Sequence, residues 1–239
     1  MRGVLLALAV VCALPGSALA GTLTLDPAGG GAQTYAAWKA QEGIPDSQGS
    51  ASQALYFQAQ GAETSTAVVR GLEGLRVGLL TGLSWEHRAD GACDANNPRW
   101  TLFLRAGGKA LKPVRFGCAA SLHSPGSAPG WIRDSNPQPV IRARILATVG
   151  SIGLRASVDG LAIDFGPKAS RPNVFLDNVT VNDQVWTSAA DNGNGASKGA
   201  SALTDEELLW AQDPFADSEL MSADDLLALN LDTSEADLP

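Results

Sequence analysis

The chain has 239 residues, 45% of them hydrophobic, 18% charged, and a net charge of -8. That is enough apolar material for one domain with a sizeable core, and it excludes a wholly disordered chain. The acidity is local: residues 1–200 carry 17 basic against 14 acidic side chains, whereas residues 201–239 carry 11 acidic and none basic. A near-neutral body with scattered arginines has no basic stripe, so nucleic acid is not an expected partner.

Met1–Ala20 reads as a signal peptide: Arg2, an apolar run Val4–Leu14, a Pro15-Gly16 break and the small-x-small triplet Ala18-Leu19-Ala20. The run is too short for an anchor, and nothing later suffices for a membrane span. Cys12 falls inside the leader as an ordinary apolar residue. An exported body, residues 21–188, is expected to follow. Thr22–Leu25 is a short alternating strand, and Tyr35–Lys39 is a helical turn or irregular. Ile44–Ser52 is a loop by its Pro, Gly and Ser content. Ala54–Gln60, Ala67–Leu72 and a long Val77–Arg88 read as strands. Arg99–Arg105 and Leu111–Phe116 flank Gly107-Gly108 as a hairpin.

After the Ser124–Gly130 loop and Trp131–Arg133, one helix is predicted between Pro137 and Gly150. Asn136 is its expected N-cap, and Val140, Ile141, Ile145, Leu146 and Val149 recur at helical spacing. Ser151–Ser157 and Leu161–Phe165 return to an extended pattern. Asn173–Val181, NVFLDNVTV, is the closing strand. Residues 189–203 read as a flexible linker. Residues 204–239 form an acidic tail with two short apolar clusters behind capping-box spacings, either disordered or able to dock a protein partner.

Two cysteines remain after the leader, Cys93 and Cys118. In an oxidising compartment a disulfide is the economical reading, ahead of free or metal-bound thiols. Neither histidine lies in a catalytic motif. Glu86 and His87 should point to opposite faces of one strand, and both His87 and His123 read as solvent-facing or edge residues. No spacing singles out a carboxylate pair for glycoside hydrolysis, and P-loop, HExxH, EF-hand and CxxC patterns are absent. Calcium could be held by Asp177 and Asp26 with loop carbonyls, although chance carboxylates are the simpler reading. Asn178-Val179-Thr180 is a glycosylation triplet on a strand, a poor position for an acceptor. Of the body tryptophans, Trp85 and Trp100 should be buried between sheets. Trp131, beside a loop, is the one expected to be partly exposed and to serve as a sugar platform.

In order, Leu83–Arg88, Gly91-Ala92-Cys93, Asn97–Trp100, Phe116-Gly117-Cys118, the 137–150 helix, Gly160–Gly166 and Phe175–Val181 resemble a group of secreted bacterial jelly-roll domains. These are similar to galactose-binding-like and carbohydrate-binding-module β-sandwiches. The resemblance implies an all-β, two-sheet antiparallel jelly-roll sandwich with one edge helix. It also implies that Asp177 inherits a structural calcium position, and it maps no aromatic platform. The functional expectation is a secreted, non-catalytic binding domain for carbohydrate or an envelope polymer. The alternatives are an extracellular structural protein docking a partner through its acidic tail, and a hydrolase with converging carboxylates or a Ser–His pair.

Overall fold

A computed structural model describes residues 23–28, 34–45, 52–59, 63–166 and 168–192. The leader, the glycine run at 29–31, most of the linker and the acidic tail lie outside the described residues. In chain order the strands are β1 (Thr24–Ala28), β2 (Thr34–Lys39), β3 (Ala54–Ala59), β4 (Ser65–Arg70), β5 (Gly82–Arg88), β6 (Arg99–Ala106) and β7 (Lys109–Ala110). They continue as β8 (Val114–Gly117), β9 (Leu122–Pro125), β10 (Trp131–Pro137), β11 (Ser157–Phe165), β12 (Asn173–Val181) and β13 (Gln184–Trp186). Among the described residues the single α-helix, α1, is Gln138–Val149.

These strands make the expected two-sheet antiparallel sandwich. One sheet has the order β1-β4-β11-β6-β7, with β8 also on β6; the other has the order β2-β3-β12-β5-β10-β9, with β13 on β12. Alternating residues of both sheets meet in one core that includes Leu25, Phe57, Val69, Trp85, Trp100, Leu102, Ile163, Leu176 and Trp186. Trp85 and Trp100 stack across it, ring centres 5.0 Å apart. Helix α1 packs on β8 of one sheet and β10 of the other, closing the side of the sandwich.

Several local expectations are corrected. Tyr35–Lys39 belongs to strand β2, because Ala36 and Trp38 face the core while Tyr35 and Lys39 face away. The long strand from Val77 begins only at Gly82, since Val77–Leu79 is a 3-10 turn; Ser151–Arg155 is another. The helix starts one residue late. Pro137 is its cap residue, and Asn136 does not cap it. Instead the buried Asn136 amide donates to Ser121 Oγ at 2.9 Å. Only Ile141 and Ile145 of the helical stripe are buried, and Leu146 is exposed. The body also runs past Ser188: Ala189–Asp191 is a 3-10 turn, and the Asn192 side chain both accepts from Leu25 N and donates to Leu25 O. Four residues that composition gives to the linker thus belong to the sandwich.

The closing strand carries the decisive irregularity. Asp177 pairs with Glu86 and Thr180 with Ser84, so β12 spends three steps against two of β5. The extra residue is Asn178 at φ 47°, a left-handed conformation that Asn tolerates better than most residues. Without this bulge, strict alternation would put Asp177 and Val179 on one face. With it, Leu176, Val179 and Val181 all enter the core, while Asp177 points out of the sandwich.

Candidate functional site

Strand β5 divides the candidate chemistry between the two faces of its sheet. Leu83 and Trp85 point inward into the core, and Glu86 and Arg88 point outward. As expected, Glu86 and His87 are on opposite sides. The expectation that His87 meets solvent is corrected: it is 3% exposed. The reason is Asp134 on β10, paired in register with Trp85 and itself 1% exposed.

Asp134 is a hub. Its Oδ2 lies 2.7 Å from the Trp85 indole Nε1 and 2.5 Å from His87 Nδ1, and its Oδ1 lies 2.6 Å from His123 Nδ1. An ionised carboxylate only accepts, so each imidazole carries a hydrogen on Nδ1 and its tautomer is fixed. Removing a carboxylate from water costs several kcal/mol, and three donors are what offset it here. His123 reaches the hub from the edge strand β9, and its side chain is 43% exposed. Its edge position agrees with the sequence reading; its buried anchor does not follow from it.

The disulfide lies against this hub. Cys93 and Cys118 are bonded, with sulfurs 1.98 Å apart, and close a loop that holds β6, β7 and β8. Cys118 is fully buried and Cys93 partly exposed. Cys118 Sγ is 3.4 Å from Asp134 Oδ2 and 3.9 Å from His87 Nδ1. The donor atoms of His87, Cys93, Cys118 and Asp134 all lie within 4.8 Å of one another. With the sulfurs bonded to each other, this quartet offers a cation only one imidazole and one carboxylate, short of a zinc set.

On the outer face of the same sheet, Ala37, Tyr56, Phe175, Arg88 and Trp131 form a row running across the strands. Register pairs Ala37 with Tyr56, Tyr56 with Phe175, and Arg88 with Trp131. The Arg88 guanidinium lies 3.9 Å over the Phe175 ring, and Lys39 Nζ lies 3.6 Å over Tyr56. Burial opposes the Arg88 charge, while hydrogen bonds to Asp90 and Glu42 favour it, and the net effect raises its pKa. Burial likewise pushes the Tyr56 phenol up. Trp131 is 8% exposed, packed with Ala54, Tyr56 and Phe175 and covered by Ile44 and Ala128. The expected partly exposed platform is therefore corrected: the tryptophan beside the loop is roofed by the loop. The exposed ring is Tyr35, 48% accessible, 6.0 Å from Tyr56 and opposite Gln58, which in turn is opposite Asn173.

Next to this row, Asp177 and Glu86 are cross-strand neighbours, both 1% exposed. Like charges so placed repel, and each is held by loop donors. Asp177 accepts from Ile44 N, Ser52 Oγ and Asn178 N; Glu86 accepts from Ser127 N, Ser127 Oγ and Asn178 Nδ2. Burial, opposed by these hydrogen bonds and aided by Glu86, raises the Asp177 pKa. The pair pins two loops to the sheet. Asp26, the other calcium candidate, sits on β1 of the opposite sheet and pairs with Arg70 at 2.9 Å. The structure does not bring Asp26 and Asp177 to one site, because Asp177 follows the inward Leu176 and so points away from the facing sheet. Asn178 Nδ2, the atom a glycan would need, is already given to Glu86.

Sequence reading missed Asp134 altogether. No motif marks it, and the only signal was a polar residue at an inward position of a strand beside Trp131 and Ile132. Among the described residues no helix is long and apolar enough to cross a membrane. The chain matches no protein-family profile, and no curated protein is similar to it in sequence.

Proposed function

We propose that this protein is a secreted, non-catalytic binding domain that takes a carbohydrate or envelope polymer on the outer face of its seven-stranded sheet. The observation that carries the reading is the half-exposed Tyr35 with Gln58 and Asn173 beside it on that face. A sugar presents an apolar C–H face and a rim of hydroxyls. A flat ring flanked by amides, each able to donate and accept, complements both. Lys39 adds positive charge to the same face, which favours an acidic polymer over a neutral one, whereas Arg88 is already paired with Glu42 and Asp90. The non-catalytic part rests on Glu86 and Asp177: every carboxylate oxygen of this pair already accepts a hydrogen bond from the protein, so neither is held free for a substrate.

Affinity electrophoresis through gels containing neutral or acidic polysaccharides tests this directly. Retardation by an acidic polymer is expected, and Tyr35→Ala should weaken it about tenfold, one ring contact's worth. Tyr35 is exposed, so its loss should leave thermal stability unchanged. Equal mobility in every gel, or retention indifferent to Tyr35, would count against the proposal.

A further inference from the structure

We propose that Cys93–Cys118 is a thiol-exchange site as well as a cross-link, opened by a small thiol at Cys93, with the His87–Asp134–His123 group handling the proton of Cys118. Three observations converge. The two cysteines are unequal: the residue Cys93 is partly exposed and Cys118 fully buried. Exchange starts by attack on a sulfur that a thiolate can reach, which selects Cys93. The sulfur that must leave, Cys118, lies 3.4 Å from the Asp134 carboxylate and 3.9 Å from His87 Nδ1. A bare thiolate there would face a buried negative charge, so it departs well only if a proton is at hand. An imidazolium on that carboxylate supplies such a proton, and one of the two imidazoles there, His123, reaches solvent to take it up.

The step balances as follows. An external thiolate forms a bond to Cys93 Sγ, the Cys93–Cys118 bond breaks, and its electron pair stays on Cys118. Cys118 takes one proton from the histidine–aspartate group in its imidazolium form, which becomes neutral imidazole and carboxylate and is reprotonated from water at His123. A second external thiolate then attacks the external sulfur of the mixed disulfide. Cys93 leaves with the electron pair and is protonated by water, so two thiols are oxidised to one disulfide and the protein cystine is reduced. In the reverse direction the histidine–aspartate group takes back the Cys118 S–H proton, ending as imidazolium and carboxylate, and the resulting thiolate re-closes the bond.

The test uses the full, folded, oxidised protein in reduced glutathione, without denaturant. The reaction is quenched by alkylation and mapped by peptide mass. The expected result is an adduct on Cys93, formed faster than the protein unfolds globally in the same buffer. His123→Gln should slow opening and re-closure about tenfold or more. Leu122→Ala, a neighbouring exposed change, should leave both rates unchanged. Thiol consumption only at the global unfolding rate, an adduct on Cys118, or a His123→Gln rate equal to wild type would each overturn the proposal. If His123→Gln lowers the urea midpoint, Asp134→Asn is compared at matched stability, and an unchanged rate in it overturns the proposal equally.

Discussion

Replacing Asp134 with Ala takes the acceptor from three donors at once: Trp85 Nε1, His87 Nδ1 and His123 Nδ1, all within 2.7 Å. The three losses are unequal. His123 is half-exposed and can turn to water, so its share is small. Trp85 and His87 are buried and find no water, and each unpaired donor costs about 1–3 kcal/mol. Relief of the buried charge returns part of this, and the net expectation is about 3–4 kcal/mol, as for a broken buried hydrogen-bond network. With an m-value of about 2 kcal/mol/M, the urea midpoint should fall by about 2 M, read by tryptophan fluorescence. His123→Ala should cost about 1 kcal/mol or less. An Asp134→Ala variant within about 1 kcal/mol of wild type would refute the reasoning, since it would mean that the hub's donors were never dependent on it.

Two further outcomes follow from single positions. The Asp177 pKa is raised above 3.8, chiefly by burial. Its neutral form is thus favoured on folding, and the associated stability is fully present below 3.8 and lost as pH rises through the higher folded value. Wild type should therefore lose stability relative to Asp177→Asn over that window, whatever constant offset the lost hydrogen bonds impose. A flat or rising difference in denaturation midpoints across the same pH series would contradict this. Gly117→Ala should destabilise by about 1–3 kcal/mol. Its new methyl would meet Ala95 O at 1.9 Å, and the Ala95 loop is fixed by Asp94 N to Asn97 O and Cys118 N to Pro98 O. An unchanged thermal midpoint in Gly117→Ala would show that this loop yields.

Much of the sandwich could be read from the chain, and the limits of that reading are physical. The nine residues of β12 and the β6–β8 hairpin show in the alternation of their side chains, because one face of each is buried and period two is then enforced. Tyr35–Lys39 did not show as a strand, since Ala36, Ala37 and Lys39 carry little β signal and pairing with β3 supplies the missing stabilisation. Trp131 was misread because exposure of a residue beside a loop depends on where the loop lies, and Ala128 lies over it.

The sequence alone determined which segments alternate, that Cys93 and Cys118 had each other as partners, and that Glu86 and His87 would part company across a strand. These follow from local stereochemistry and residue chemistry, which neighbours along the chain suffice to set. Only the tertiary structure decided that residues 47 apart, His87 and Asp134, meet beneath the sheet with His123 joining them from its edge. It alone decided that a single left-handed Asn178 turns Val179 inward, where strict alternation would leave it on the outer face with Asp177. Register between distant strands and closure of loops over a face depend on the summed packing of the whole core, and no short stretch of chain encodes them.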